Sequence, residues 1–357
     1  MSMSSSIERV IDYCRTRQSK MNQKFKGLYI LERNHYEAIY PADIRGKISE
    51  YADIYAPLMD RKEAEKRSDV LKEAQVIFSG WGAPVLDEVF LQACPELEAF
   101  FYGSGSVKNV ATDSFWERSI VLTNARAANA IAVAEFTISQ ILFGLKHGWQ
   151  LVREIRRDKG WSEEEKRTTT LPGNCGTTVG LISLGAVARC VLEKLVHYEH
   201  KRLVCDPFAT EEEIRRFGSA PASLDEIFEK SDFVSLHTPL LPETRGMIRG
   251  THFEVLKAGA TFLNTARGAV INEPEMIDVL QSRPDVTAIL DVTVSEPPPP
   301  DSPLYTMDNV VLTPHLAGVH QAECRRMGAL MAEELRRYVE NQPLQWAVTK
   351  ETLAAMA

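Results

Sequence analysis

Thr178-Val-Gly-Leu-Ile-Ser183-Leu184-Gly185-Ala186-Val187-Ala188-Arg189 joins an apolar, strand-like run to a stretch with helical character. A Gly-x-Gly-x-x-Gly dinucleotide turn belongs at such a junction, opening a parallel α/β unit. This copy has Ser183 at the first position and Ala188 at the third. Alanine still allows close packing of helix on strand, and Gly185 keeps the central place where backbone approaches a pyrophosphate. Ser183 is the departure, because a Cβ at the tight first turn restricts φ and can crowd a dinucleotide. Asp206 ends the next apolar run, Leu203-Val-Cys-Asp206-Pro207. It follows Gly185 by about twenty residues, where an acid binds the adenosine ribose hydroxyls and repels a 2′-phosphate, favouring NAD over NADP. The bland alternative is a strand-end aspartate that caps the next turn.

Working outward, runs at Val179, Arg202, Phe233, Thr261, Thr287 and Val310 predict six parallel strands, the pattern of a doubly wound nucleotide domain. Upstream, Leu28-Tyr-Ile-Leu, Val76-Ile-Phe-Ser, Ala99-Phe-Phe-Tyr and Ile120-Val-Leu-Thr alternate with charged, helix-like stretches and predict a smaller parallel α/β layer. Between the blocks, Ile131, Val133, Phe136, Ile138, Ile141, Leu142 and Leu145 recur at helical spacing in a long helix ending near Trp149. Such a stripe packs on a core, and its length leaves a dimer contact through residues 127–150 open. Glu163 to Gly173 is polar and reads as an exposed loop. An amphipathic helix from Gln321 to Asn341 closes the chain, with sixteen residues after it, too few for an added regulatory domain.

At 357 residues the chain predicts two domains. A net charge of −8 offers no basic surface for phosphate backbones, which argues against nucleic-acid binding. The six cysteines lack Cys-x-x-Cys pairing, so no zinc site or disulfide framework is expected; they read as reduced, mostly buried thiols of a cytoplasmic protein. The polar first twenty residues contain Glu8 and Asp12 and fit neither a secretory signal nor a transit peptide. Ala130 to Gly144 is interrupted by Glu135, Thr137, Ser139 and Gln140, so no membrane span is expected there.

Three of the predicted strands end in chemistry-bearing residues: Arg267 after Thr261-Phe-Leu-Asn, Glu296 after Ala288-Ile-Leu-Asp291, and His315 after Val310-Val-Leu-Thr. Ligands of open parallel sheets bind outside the carboxyl ends of the strands. There an arginine grips a carboxylate bidentately, a histidine moves a proton near neutral pH, and a glutamate holds the imidazole and stabilises its charged form. Each also has a plain structural reading, as a surface ion pair, a loop acid or a turn cap. The remaining histidines (His35, His147, His197, His200, His252 and His320) show no ligand spacing and read as surface residues.

The ordered segments Ser235-Leu-His237-Thr238-Pro239-Leu, Asn264-Thr265-Ala266-Arg267-Gly and Thr313-Pro-His315 together resemble the D-isomer-specific 2-hydroxyacid dehydrogenase family, from about Gly27 to Asn341. The resemblance implies two Rossmann-like doubly wound parallel-sheet domains with the active-site cleft between them. A discontinuous, flavodoxin-like substrate domain would comprise residues 1–126 and 320–357, and an NAD domain residues 127–319. Arg267 would bind the substrate carboxylate and keto oxygen, His315 would be the acid/base, and Glu296 its partner. Ser183, Gly185, Ala186, Val187, Asp206, His237, Thr238, Pro239, Thr265 and Ala266 would line the cofactor, and Asp291 would hold the nicotinamide carboxamide. Trp81 would be an apolar wall of the substrate pocket, or simply a buried core aromatic. The loop Gly103-Ser104-Gly105-Ser106-Val107 would offer N–H groups to the carboxylate.

The activity this implies is NAD-dependent interconversion of a D-2-hydroxy acid and its 2-keto acid, without a metal. Phosphoglycerate dehydrogenase is the nearest alternative. Lys108 is a candidate for a phosphate, although no dedicated basic cluster accompanies it. An NAD(H)-sensing corepressor-like binding protein is the alternative of another class.

Overall fold

The computed structural model describes residues 24–161 and 171–354. The chain forms two compact units, one from the segment ending at Asn129 plus His320–Ala354, the other built on Ala130–Val319. Residues 1–23, which include Cys14 and the polar amino-terminal segment, lie outside the described residues, as does most of the expected loop at Glu163–Gly173.

The first unit carries a parallel sheet of β1 (Phe25–Ile30), β2 (Ala52–Ile54), β3 (Val76–Ser79), β4 (Ala99–Tyr102) and β5 (Val121–Asn124), ordered β2-β1-β3-β4-β5. Strands β3 and β4 are buried at every position, as parallel strands covered on both faces must be, which is why they read as unbroken apolar runs. The sequence pattern announced four strands; β2 is the fifth, and its three residues are too few to show a period. The helix Cys324–Val339 returns to this unit and buries Met327, Met331 and Leu335. Its Gly328 lies so close to the Ile39 carbonyl that a Cβ would be 1.8 Å from the oxygen.

The second unit carries β6 (Thr178–Ile182), β7 (Lys201–Cys205), β8 (Ala220–Pro221), β9 (Phe233–Leu236), β10 (Thr261–Asn264), β11 (Thr287–Leu290) and β12 (Val310–Leu312). All pairings are parallel in the order β12-β11-β10-β9-β6-β7-β8. This sheet has seven strands rather than the expected six, because the two-residue β8 extends the edge beside β7. Chain direction across the sheet reverses between β6 and β9, the position where doubly wound sheets open a ligand crevice. Two apolar clusters flank the sheet, one around Phe228, Phe253 and Phe262, the other around Ile141, Val191 and Phe233.

The expected long helix breaks. It runs Arg126–Gly144, and after a turn a second helix, Gly148–Asp158, begins. His147 sits at φ +49° in that turn, and the Phe143 ring occupies the space where Gly148 would carry a Cβ, 2.4 Å away. Apolar periodicity continues through the break, so periodicity alone hides it. The Arg126–Gly144 helix has the length and apolarity of a bilayer-crossing helix, with half of that stretch buried within the protein; Ala134 and Ile141 are fully enclosed.

Two further expectations change. His200 is a buried histidine, 7% exposed, with its Nδ1 3.1 Å from Thr177 Oγ1, and His35, His147 and His252 are partly buried. Of the described cysteines, all free, Cys94 and Cys324 are buried, Cys175 is exposed, and Cys190 and Cys205 lie between.

Candidate active site

Arg267, Glu296 and His315 follow β10, β11 and β12, three neighbouring strands of the second unit, at their carboxyl ends. Asn264, fully buried, builds the Arg267 turn: its Oδ1 accepts from Ala266 N at 2.9 Å and its Nδ2 donates to Arg267 O at 3.1 Å. Gly268 is required next, because a Cβ there would lie 2.0 Å from the Thr293 carbonyl carbon. The Arg267 turn thereby rests directly on the loop that leads to Glu296. The guanidinium is part-buried; Nη1 donates to Ala266 O at 2.6 Å, and no carboxylate among the described residues pairs with it.

Glu296 Oε2 and His315 Nδ1 are 2.7 Å apart, and both side chains remain about half exposed, at 40% and 52%. His315 has φ +52°, a left-handed backbone that disfavours a residue with a Cβ by roughly 1–2 kcal/mol. Asp291 holds it there. The Asp291 carbonyl accepts from His315 N at 3.0 Å, and its carboxylate accepts from Thr313 Oγ1 at 2.5 Å, Leu316 N at 2.9 Å and Ala317 N at 3.0 Å. Asp291 is 2% exposed and thus serves as the buried post around which the His315 loop is wound. The role expected for it, holding a carboxamide, meets a carboxylate that already accepts three protein donors.

Ser183 has φ +74° and donates its N–H to Cys205 O at 2.7 Å, while its Oγ lies 3.0 Å from Thr238 Oγ1. The Cβ position of Gly185 is open for 4 Å around, and Ala186 and Val187 form the first turn of the helix Ala186–Leu195, which has no side-chain cap. Asp206 behaves as a turn cap, since its Oδ1 accepts from Phe208 N at 2.8 Å and Ala209 N at 2.9 Å. It also ties β7 to the cofactor turn, because Oδ2 accepts from Leu184 N at 2.7 Å. Thr265 Oγ1 is buried with no hydrogen-bond partner among the described residues, the signature of a polar atom awaiting a ligand. An open glycine approach, an uncapped helix start and an orphaned hydroxyl together fit a bound dinucleotide.

His237 Nε2 is 3.0 Å from Ser235 Oγ, and burial pushes its pKa down to about 4. It is therefore neutral near pH 7 and takes no part as a charged proton donor. Thr238 is buried beside it, and the Pro239 carbonyl accepts from Thr244 Oγ1 at 2.6 Å.

The remaining candidates belong to the first unit. Trp81 is partly exposed rather than a core aromatic, its ring 4.7 Å from that of His35. In the loop after β4, Gly103 N and Ser104 N are committed to Ser79 O and Tyr102 O, both at 2.8 Å. The N–H groups of Gly105, Ser106 and Val107 have no acceptor among the described residues, and Asn124 Nδ2 braces the loop through Gly105 O at 2.9 Å. Arg126 was missed. It lies two residues beyond β5, its side chain has no carboxylate partner among the described residues, and burial pulls its pKa down. No motif marks it in the sequence, whereas the spacing of Asn264 before Arg267 is a recognisable Asx-turn signal.

Residues 138–317 match the family described as D-isomer specific 2-hydroxyacid dehydrogenase, NAD binding domain. A D-3-phosphoglycerate dehydrogenase from Archaeoglobus fulgidus is 30% identical over 263 residues, covering 74% of this chain and 49% of that protein, so the chain spans about half the length of this relative. Among solved structures, a phosphoglycerate oxidoreductase from Rhizobium etli superposes with a TM-score of 0.78 at 19% identity, covering 92% of this chain and all of the other. The NAD-complexed D-isomer specific 2-hydroxyacid dehydrogenase from Lactobacillus delbrueckii ssp. bulgaricus gives 0.74 at 21% identity, with 91% and 100% coverage. At these identities the two structures show the shared fold.

Proposed function

From the premise that the chain belongs to the D-isomer specific 2-hydroxyacid dehydrogenase family, we propose that it interconverts a D-2-hydroxy acid and its 2-keto acid with NAD(H). The carrying observation is the Glu296–His315 contact at 2.7 Å, at the sheet edge where Arg267 follows β10 with no carboxylate partner among the described residues.

When bound, the nicotinamide cofactor supplies or accepts the hydride. Arg267 supplies the fork of donors that a substrate carboxylate and its neighbouring carbonyl require, a geometry lysine cannot reproduce. With Nδ1 turned to Glu296, His315 uses Nε2 to give a proton to the forming alkoxide in reduction and to take it from the hydroxyl in oxidation. Glu296 fixes the ring and offsets its charge when the ring is protonated. Asp291 acts through His315, as a positioning residue.

A phosphorylated substrate is the second reading. Arg126, desolvated and without a carboxylate partner among the described residues, supports it, as does the name of the Archaeoglobus relative. Within the first unit, the N–H groups of Gly105, Ser106 and Val107, without an acceptor among the described residues, support the role of that loop as a nest for a carboxylate. A cytoplasmic setting is supported by the free thiols. A homodimer through the 127–150 region is supported by the exposed Phe143 together with Val152 and Ile155 on the helix that follows; light scattering of wild type and Ile155→Lys tests it.

The test is NADH oxidation against glyoxylate, hydroxypyruvate, pyruvate, 2-ketoisocaproate, phenylpyruvate and 3-phosphohydroxypyruvate, with NADPH in parallel. His315→Ala is expected to cut turnover at least about a hundredfold with NADH affinity nearly unchanged. Turnover that survives the substitution removes His315 from the mechanism. NADH binding without turnover of any acid favours the sensor.

A further inference from the structure

Where strand order reverses between β6 and β9, the turn after each strand contributes a hydroxyl, and Ser183 Oγ and Thr238 Oγ1 meet at 3.0 Å. Thr238 is 3% exposed, and Ser183 is the only hydrogen-bond partner of its hydroxyl among the described residues. A buried hydroxyl proton left without an acceptor is costly, so Thr238 donates and Ser183 accepts. Ser183 then keeps its own proton, on a side chain that is only part-buried. Immediately after it come the open Gly185 and the uncapped start of the Ala186–Leu195 helix, whose first N–H groups and dipole favour an anion.

The chain accepts a cost to keep this side chain. At φ +74° any residue with a Cβ is disfavoured, and glycine would relieve the strain. Backbone strain of this kind persists where the surroundings hold it, and here the Ser183 N–H to Cys205 O bond and the Thr238 hydroxyl hold both ends of the residue.

We propose that Ser183 is a phosphate-recognition residue of the dinucleotide site, its hydroxyl oriented by Thr238 so that its O–H donates to the pyrophosphate. The inference rests on the NAD(H) reading above. It adds a side-chain donor to a turn that otherwise offers backbone alone, and it reverses the expectation that a Cβ at this position crowds the dinucleotide.

Calorimetric titration of wild type, Ser183→Ala, Ser183→Gly and Thr238→Val with NADH, ADP-ribose and adenosine tests it, with circular dichroism confirming that each variant folds. Wild type that binds no NADH refutes the cofactor reading and the proposal with it; wild type that binds while the variants match it refutes the proposal alone. Ser183→Ala is expected to weaken NADH and ADP-ribose about tenfold, the scale of a charge-assisted hydrogen bond, and to leave phosphate-free adenosine unchanged. Thr238→Val is expected to cost about threefold, because the Ser183 donor survives without its orientation. The glycine variant is decisive: higher thermal stability with weaker ADP-ribose binding supports the proposal, and binding equal to or tighter than wild type overturns it. A loss of the same size on adenosine also overturns it, as general distortion of the site.

Discussion

Replacing Asp291 by asparagine isolates the link between a buried carboxylate and the histidine whose loop it anchors. In the wild type, Oδ1 accepts from Thr313 Oγ1 and Leu316 N, and Oδ2 accepts from Ala317 N. Asparagine retains the first two bonds but turns an amide N–H₂ toward the Ala317 N–H, so one charge-assisted bond is lost and two donors face each other. At 2% exposure no water relieves them, and the cost is about 2 kcal/mol. That is comparable to the roughly 1–2 kcal/mol by which the left-handed conformation of His315 is disfavoured. The substitution therefore suffices to release the loop and move the imidazole off Glu296. A barrier raised by about 2 kcal/mol lowers kcat about thirtyfold. The assay is steady-state NADH oxidation with the best acid of the panel, beside NADH affinity by titration and hydrogen exchange at Leu316 and Ala317. The expected result is a lower kcat, faster exchange at both amides and NADH affinity within about twofold of wild type. Turnover within about threefold of wild type refutes the positioning argument. A loss confined to NADH affinity refutes it too, in favour of direct contact with the nicotinamide carboxamide.

Other consequences are equally open to test. His237 titrates near pH 4 in the folded protein against about 6.5 unfolded, so the unfolded chain binds the extra proton between these values. Its contribution is fully present above about pH 6.5 and is lost as pH falls toward 4; stability to urea should be about 2 kcal/mol lower at pH 5 than at pH 7.5 through this group. His237→Gln should flatten that slope, and an unchanged slope discounts the buried neutral ring. Gly268→Ala forces a Cβ to within 2.0 Å of the Thr293 carbonyl carbon. It should destabilise by roughly 1–3 kcal/mol and weaken oxamate, used as a non-reacting isostere of a 2-keto acid, while NADH still binds, and a variant with wild-type melting and oxamate affinity contradicts the packing. Asp206→Ala removes the acceptor of three backbone N–H groups. It should lower the melting temperature and also raise the NADPH-to-NADH preference; a melting change with an unaltered preference would leave Asp206 as a cap only.

What could be read along the chain was whatever repeats or abuts within a few residues. The strands β3, β4, β6, β9, β10 and β11 are apolar-rich runs, almost wholly buried because both faces are covered, and they announce a parallel α/β architecture. The order of Arg267, Glu296 and His315 behind three such runs already pointed to one sheet edge, since parallel strands deliver all their carboxyl ends to the same side. Strands β2 and β8 were illegible because two or three residues carry no period and exist only through pairing with β1 and β7. The helix break at His147 was masked by apolar positions that continue across it. Tertiary structure alone decided what the aspartates do: Asp206 reaches Leu184 and Asp291 reaches Leu316 and Ala317, partners 22, 25 and 26 residues away. It alone decided that Ser183, a poor substitute for glycine by local rules, is held by a threonine 55 residues further on. Local periodicity reports burial and secondary structure, whereas a hydrogen bond between distant loops depends on the register of the strands that carry them, and that register is set only when the sheet has formed.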